Sequence, residues 1–139
     1  VNKAYAQLPE SSEQILHPKL YPQEKPLAVQ VKLKGLPGYR SLGQDTAGEF
    51  LIRCWGREHD VWRSVAGGWG GDRFETWESP TDHYTLWETR WDSPKDAQEF
   101  ADFARPLLTK RDNLVSQGNR VQVWLNLPQA LSQDPKKFL

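Results

Sequence analysis

The spacing of apolar residues changes at Thr46, and the two spacings predict different elements. Residues 27–33 alternate apolar and polar side chains, which is typical of a half-buried β-strand. Beyond Thr46 the apolar positions recur every three or four residues. This spacing predicts a helix over about residues 47–56, with a second turn reaching residue 65.

A hairpin is predicted in the middle of the chain. Residues 73–77 and 83–91 have strand-like alternation, and the stretch 78–82 between them has the composition of a loop. In the second strand, the alternation places Trp87 and Trp91 on one face.

The clearest predicted helix begins after Ser93. Ser93 stands at the N-cap position, Pro94 at the first helical position and Asp96 in the first turn. An apolar stripe then continues to about residue 109. Pro106 lies inside this stripe, so we expect a kink or an early end there.

A final alternating strand over 120–127 and a short helix after Pro128 complete the predicted order. Strands mixed with helices around a hairpin predict an α+β fold in two layers. In this fold, a sheet of about four antiparallel or mixed strands is covered by helices.

The distribution of prolines divides the chain. Residues 1–26 contain four prolines and are predicted to be an N-terminal arm with one short helix, which Ser11 or Ser12 caps and Pro18 ends. We expect residues 27–134 to form a single α+β domain and residues 135–139 to form a tail.

Four glycines surround Trp69 in the stretch from Gly67 to Gly71. Glycine is required where the backbone takes a positive φ or where another surface comes close. We therefore expect a tight turn built around the indole ring of Trp69.

The composition limits the classes of partner. The 139 residues include 18 basic and 18 acidic side chains, so the formal net charge is zero and does not favour nucleic acid or an anionic membrane as a partner. No apolar run approaches the ~20 residues that a membrane span needs. Docking onto a membrane protein complex remains compatible with this composition.

Few residues are arranged for catalysis or metal binding. The histidines and Cys54 have no partner at the spacing of zinc ligands, and neither a G-x-S-x-G motif nor a glycine-rich phosphate loop is present. We therefore predict no catalytic residue, no metal site and no cofactor. Glu13 and His17 share a face of the short helix, which suits a metal or a hydrogen-bonded pair, and the pair is favoured.

Asp72 and Arg73 are candidates for binding an anionic or carboxylate group. Neighbouring strand residues point to opposite faces, so these two are not expected to pair with each other. The alternative is that Asp72 caps the glycine turn and that Arg73 stacks on, or pairs with, a neighbour.

Tryptophan is unusually frequent, with seven residues in the chain and six of them between positions 55 and 91. One interpretation is an aromatic platform for a sugar, a peptide or a partner protein. The alternative is a core sealed with indole rings. The candidate platform residues are Trp69, Trp77, Trp87 and Trp91.

Three separated blocks carry a resemblance to a known family. They are PESSEQILHPKLY at 9–21, AGGWGGDR at 66–73, and TRWD with DAQEF at 89–100. In this order they resemble bacterial and archaeal proteins, often exported or lipid-anchored, whose N-terminal part is similar to a zinc metallopeptidase with an H-E-x-x-H-type motif. The resemblance spans about residues 1–126.

The resemblance implies that the chain corresponds to the C-terminal portion of such a protein. This chain contains no H-E-x-x-H motif. The two histidines and the glutamate of that motif hold zinc and activate water, so the resemblance implies a catalytically silent chain. It also favours export to the periplasm or the cell exterior. It assigns no catalytic role to Glu13, His17, Asp72 or Arg73, although these match positions that the family's motifs share.

We therefore expect a non-catalytic α+β module that binds a protein partner or an upstream domain. One alternative is an accessory subunit of a larger assembly, membrane-bound assemblies included. The other is one half of a zinc peptidase whose H-E-x-x-H motif lies upstream, with Glu13 and His17 completing the cleft.

Overall fold

The structure is a computed structural model that describes residues 5–33, 35–55 and 62–129. These residues form an antiparallel sheet with helices packed on it, so the predicted α+β fold is confirmed. The sheet has five strands, whereas about four were predicted.

The elements follow one another along the chain, and the strands lie in the order β1-β2-β3-β5-β4, with every neighbouring pair antiparallel. They are α1 (Ser12–Leu16), β1 (Arg40–Asp45), α2 (Gly48–Trp55), α3 (Trp62–Ala66), β2 (Trp69–Glu78), β3 (His83–Trp91), α4 (Pro94–Ala104), β4 (Asn113–Gln117) and β5 (Arg120–Leu125).

The central hairpin and helix α4 lie where they were predicted. Strand β3 has the predicted bounds, and the Ser93 hydroxyl accepts a hydrogen bond from the Asp96 backbone N–H at 3.3 Å, which caps α4. After Ala104 the chain continues as a 3₁₀ turn, Arg105–Leu107. The α-helix therefore ends at Ala104, two residues before Pro106, in agreement with the expected early end.

Helix α4 packs on one face of the sheet and builds the larger part of the core. The Phe100 ring stacks on Trp91 with 4.7 Å between ring centroids and meets Trp87 edge-on at 5.7 Å. Burying large aromatic rings in this way contributes strongly to stability. The other buried residues of this cluster include Ala97, Ala101, Ala104, Val121 and Val123.

An extended segment, residues 27–33, covers part of the opposite face of the sheet, and we call it the strap. A strand was predicted here, and that prediction is wrong, because the segment lies on the sheet without joining any of its strands. Val29 and Val31 are buried while Gln30 between them is exposed. The alternation therefore reports burial against a sheet. Val31 packs with Tyr84, Leu86, Trp124 and Leu127.

The glycines around Trp69 provide space for other parts of the chain. Gly70 and Gly71 lie in β2 without positive φ, so the predicted tight turn is wrong for them. A Cβ atom on Gly71 would lie 2.5 Å from the carbonyl oxygen of Leu27 in the strap. A Cβ on Gly68 would lie 2.5 Å from Asp96 Cγ. The glycines thus let the strap and the first turn of α4 approach the start of β2.

The two edge strands were not predicted. All six residues of β1 are exposed, and β4 contains a single buried residue, Leu114. Neither strand therefore shows the alternation that marks a half-buried strand. The middle of the predicted second turn of α2 at 56–61, the helix after Pro128 from residue 130 onward, and the tail lie outside the described residues.

Candidate functional site

Asp72 accepts four hydrogen bonds beside the glycine stretch. Its Oδ1 accepts from the backbone N–H of Gly48 at 2.8 Å and from the Trp69 indole at 3.1 Å. Its Oδ2 accepts from the Ala47 N–H and the Trp87 indole, both at 2.8 Å. Asp72 thus caps the N-terminus of α2 from the neighbouring sheet. All the acceptor positions of a carboxylate are used, which makes Asp72 a structural residue.

The candidate platform tryptophans lie mainly in the core. Trp69, Trp87 and Trp91 are buried, and Trp77 is half-buried with the Gly35 backbone against its ring. Since these rings are not presented to solvent as one surface, the interpretation of a core sealed with indole rings describes them better than an open platform.

Arg73 lies on the strap side of β2, half-buried and opposite Glu88 in the register of the hairpin. Glu88 is bound by Arg120 at 2.6 Å and by Arg90 at 3.4 Å. Arg73 does not pair with Asp72, and it lines a cavity of about 380 Å³ together with Leu27 and neighbouring residues. Among the predicted binding residues, Arg73 is thus one that keeps contact with an open cavity.

His17 is paired with Glu49 of α2. Its Nε2 lies 3.0 Å from Glu49 Oε1, which is also 2.5 Å from an Arg53 guanidinium nitrogen. Glu49 is fully buried, and its Oε2 meets no donor among the described residues. The pair that was predicted between Glu13 and His17 is therefore replaced by a contact that ties α1 to α2.

Helix α2 exposes apolar residues, although the Trp55 ring also packs against the core, with its centroid 6.0 Å from the ring centroids of Trp87 and Phe103. The exposed fractions are 55% for Phe50, 52% for Leu51 and 39% for Trp55, and Cys54 is exposed beside them. We call these four residues the outer apolar surface. Ile15 of α1, which packs on α2, is also exposed.

The outer apolar surface was not found from the sequence. The spacing of apolar residues was interpreted as one helix face turned to the core. In α2, however, Ile52 is the only large apolar residue that is buried. The available signal is the repeat of two adjacent apolar residues, Phe50-Leu51 and Cys54-Trp55, four positions apart. Such a repeat gives a helix a second apolar face.

Glu13 lies with two carboxylates that the sequence did not connect to it, Glu24 and Asp92. One carboxylate oxygen from each residue lies within 4.8 Å of the other two. Glu13 is in α1, Glu24 comes directly after the turn that follows α1, and Asp92 comes directly after β3. We call these residues the acid cluster, and within the described part of the chain it is the group placed to hold a metal ion.

Burial and mutual repulsion disfavour the charged forms of Glu13 and Asp92 in the acid cluster. Burial raises the pKa of Glu13 to about 7, with added repulsion from Glu24, Asp92 and Glu49 and an opposing effect of His17. Burial also raises the pKa of Asp92, with repulsion from Glu24 next in size. In both residues, folding therefore shifts the balance toward the protonated form.

The raised pKa of Glu13 predicts that the folded state loses stability as the pH rises. The pKa of Glu13 is 4.5 in the unfolded chain and about 7 in the folded chain, so the folded chain binds more protons between these pH values. The free energy of unfolding is then highest below the unfolded pKa and is lost as the pH passes the folded pKa. We expect a loss of about 1–3 kcal/mol between about pH 5 and pH 8. Urea unfolding in EDTA measures it.

A pair of matched variants tests the assignment. Glu13→Gln should flatten the pH dependence, whereas Glu78→Gln at the far end of β2 should leave it unchanged. An undiminished slope in Glu13→Gln would show that other groups cause it.

Within the described ranges, no helix is both long and apolar enough to cross a membrane. No curated protein and no solved structure matches the chain. Residues 35–132 match the model of a family described as Domain of unknown function (DUF8575). The match includes all five strands and leaves Glu13 and Glu24 outside it. Because it extends over most of the sequence, the chain belongs to the DUF8575 family.

Proposed function

We propose that this chain is a non-catalytic binding module that docks onto a partner protein through the outer apolar surface of α2. The observation that carries the proposal is a helix that presents Phe50, Leu51, Cys54 and Trp55 to solvent. Large contiguous apolar surface on a folded chain marks a contact site.

The position of α2 is fixed from its inner side. Asp72 caps its N-terminus, Ile52 is buried in the core, and Glu49 binds both Arg53 and His17. The outer apolar surface therefore lies on a rigid element. A partner that binds it does not have to order the helix first, which lowers the cost of association.

The shape and chemistry of the outer apolar surface indicate the partner. Two adjacent pairs four residues apart form a stripe on one side of a helix, and such a stripe fits an apolar groove on another protein. Phe50 supplies a large exposed ring of the kind that commonly dominates binding energy. The Trp55 ring packs on Trp87 and Phe103 and offers a partner only its exposed part. Arg53 is the one basic residue of α2, and Glu49 holds it, so nothing on this helix favours a nucleic acid.

Truncating this surface should weaken binding without harming the fold. We expect the double variant Phe50→Ala, Leu51→Ala to bind the partner at least about 10-fold more weakly. Its free energy of unfolding should change by less than about 1 kcal/mol, because more than half of each side chain is exposed. Leu42→Ala in β1 is the matched control, since Leu42 is also 52% exposed.

The partner can be identified before the affinity is measured. A photo-crosslinking residue at position 51 should capture one defined protein from native extract, and the same residue at position 42 should not. Titration of the purified pair then gives the dissociation constant for each variant. Equal affinity of the double variant and the unchanged chain, or a chain that stays monomeric and uncrosslinked at position 51, contradicts the proposal.

The relation to metallopeptidase-like exported proteins, and export itself, stay predictions. A peptidase half would need Glu13 and His17 to face a cleft, whereas Nε2 of His17 lies against Glu49 and Arg53. This contact supports the binding module over the peptidase half. An H-E-x-x-H motif upstream in the same gene would make the partner an upstream domain, and a fixed set of co-purifying chains would make this an accessory subunit.

A further inference from the structure

Backbone contacts bring the three residues of the acid cluster together. Glu13 is fixed on α1, and the side-chain amide of the next residue, Gln14, donates to the backbone carbonyl of Glu24. Asp92 donates its backbone N–H to the Gly68 carbonyl at 2.9 Å. The Leu27 N–H donates to the Gly70 carbonyl at 2.7 Å, which holds the chain after Glu24 beside the start of β2 and so near Asp92. The carboxylates come together with no ion pair among them.

The buried carboxylate of Glu13 is the decisive observation. It is 4% exposed, it lies among the oxygens of the acid cluster, and no described residue donates a hydrogen bond to it. His17, which acts on the Glu13 carboxyl by its charge, lies against Glu49 instead of Glu13. A charged carboxylate in this position is costly, and binding either a proton or a cation lowers that cost.

We propose that Glu13, Glu24 and Asp92 form a binding site for a hard divalent cation, for which Ca²⁺ is the fitting probe. The site lies where α1 meets the end of β3. It involves none of the four residues of the outer apolar surface, and it is independent of the proposed docking function.

The ligand atoms select the class of cation. Three carboxylates offer only oxygen, which suits Ca²⁺, Mg²⁺ or Mn²⁺ and not the cations that prefer thiolate or imidazole. Oxygens on opposite sides of Ca²⁺ are about 4.6–5.2 Å apart, against about 4.2 Å around Mg²⁺. The three oxygens lie within 4.8 Å of one another, and the flexible coordination of Ca²⁺ adapts to such a group more readily than the strict octahedron of Mg²⁺.

The surroundings leave room for the remaining ligands. Glu24 and Asp92 are exposed, so water can reach the site and complete the six to eight oxygens that Ca²⁺ takes. Gly70 lies against Asp92, and a Cβ there would come 3.3 Å from its Oδ1. Because protons compete for the same oxygens, binding should tighten as the pH rises.

Calorimetric titration of the full chain with CaCl₂ tests the site. At about pH 7.5 we expect one cation per chain with a Kd of about 10⁻⁵–10⁻³ M, and about 5 mM CaCl₂ should raise the Tm relative to NaCl of equal ionic strength. Glu13→Gln and Asp92→Asn should each weaken binding at least about 10-fold and remove the rise in Tm.

Matched controls separate this site from general screening and from docking. Glu78→Gln removes an acid far from the site and should bind Ca²⁺ as the unchanged chain does. The Phe50→Ala, Leu51→Ala variant should also bind Ca²⁺ normally, so either proposal can fail alone. If Glu13→Gln does not fold, Asp92→Asn carries the test, because Asp92 is exposed. No binding heat in the unchanged chain, or the same rise in Tm in Asp92→Asn, overturns the proposal.

Discussion

Replacing Asp72 by alanine should lower the free energy of unfolding by about 3–5 kcal/mol. The substitution leaves two indole N–H groups and two backbone N–H groups without their acceptor. It also removes the cap of α2 and the negative charge that the helix N-terminus favours. Since β2, β3 and α2 all donate to this one carboxylate, their packing should loosen together.

Chemical denaturation followed by circular dichroism measures this loss. Asp72→Asn is the sharper variant, because it keeps the shape but turns one acceptor oxygen into a donor that faces two other donors. We expect it to be clearly destabilised as well. Asp102→Ala on the exposed side of α4 serves as the control and should change stability by less than about 0.5 kcal/mol. Similar values for Asp72→Ala and Asp102→Ala would show that the four hydrogen bonds contribute little.

Gly71→Ala should destabilise the chain by about 1–3 kcal/mol, through steric overlap. The new methyl group would lie 2.5 Å from the Leu27 carbonyl oxygen and 3.2 Å from the Leu27 nitrogen. Both are backbone atoms, so the strap has to move away from β2. The neighbouring substitution Gly70→Ala meets its nearest atoms at 3.3 Å and should cost less.

Hydrogen exchange locates the effect of this substitution. The Leu27 amide donates to the Gly70 carbonyl at 2.7 Å, so it should be protected in the unchanged chain and lose protection in Gly71→Ala. Equal destabilisation by Gly70→Ala and Gly71→Ala would mean that conformational entropy, and not the close approach of the strap, explains the glycines.

Elements with local signals were predictable from the sequence. The cap at Ser93 and the alternation in β3 depend on neighbouring residues, and both elements lie where they were predicted. The strap has the alternation of a strand but takes its partners from the face of a sheet. Strand β1 is exposed throughout, so only its pairing with β2 defines it.

The site residues were harder to predict because their partners are distant in the sequence. Asp72 was assigned to capping a local turn, but the group that it caps begins 24 residues earlier at Gly48. Glu13 was associated with His17, four residues away, whereas its carboxylate neighbours are Glu24 and Asp92. No sequence period connects such residues, since the sheet and the turn after α1 bring them together.

The blocks that carry the resemblance lie side by side in the folded chain. The first block contains Glu13, and the second contains Gly68 and Gly70. The third block contains Asp92 as the last residue of its TRWD part. The Asp92 N–H binds the Gly68 carbonyl, and its carboxylate meets that of Glu13. The fold thus brings residues of these separated blocks together around the acid cluster.

The strap also shows how much of the chain the folded domain needs. The family match begins at residue 35, after the strap has ended, yet Val31 is buried against Tyr84, Leu86 and Trp124 inside the matched region. A gene fusion or truncation that kept only the matched residues would uncover that apolar face of the sheet. A fragment that keeps this face covered therefore has to begin before residue 35 and include the strap.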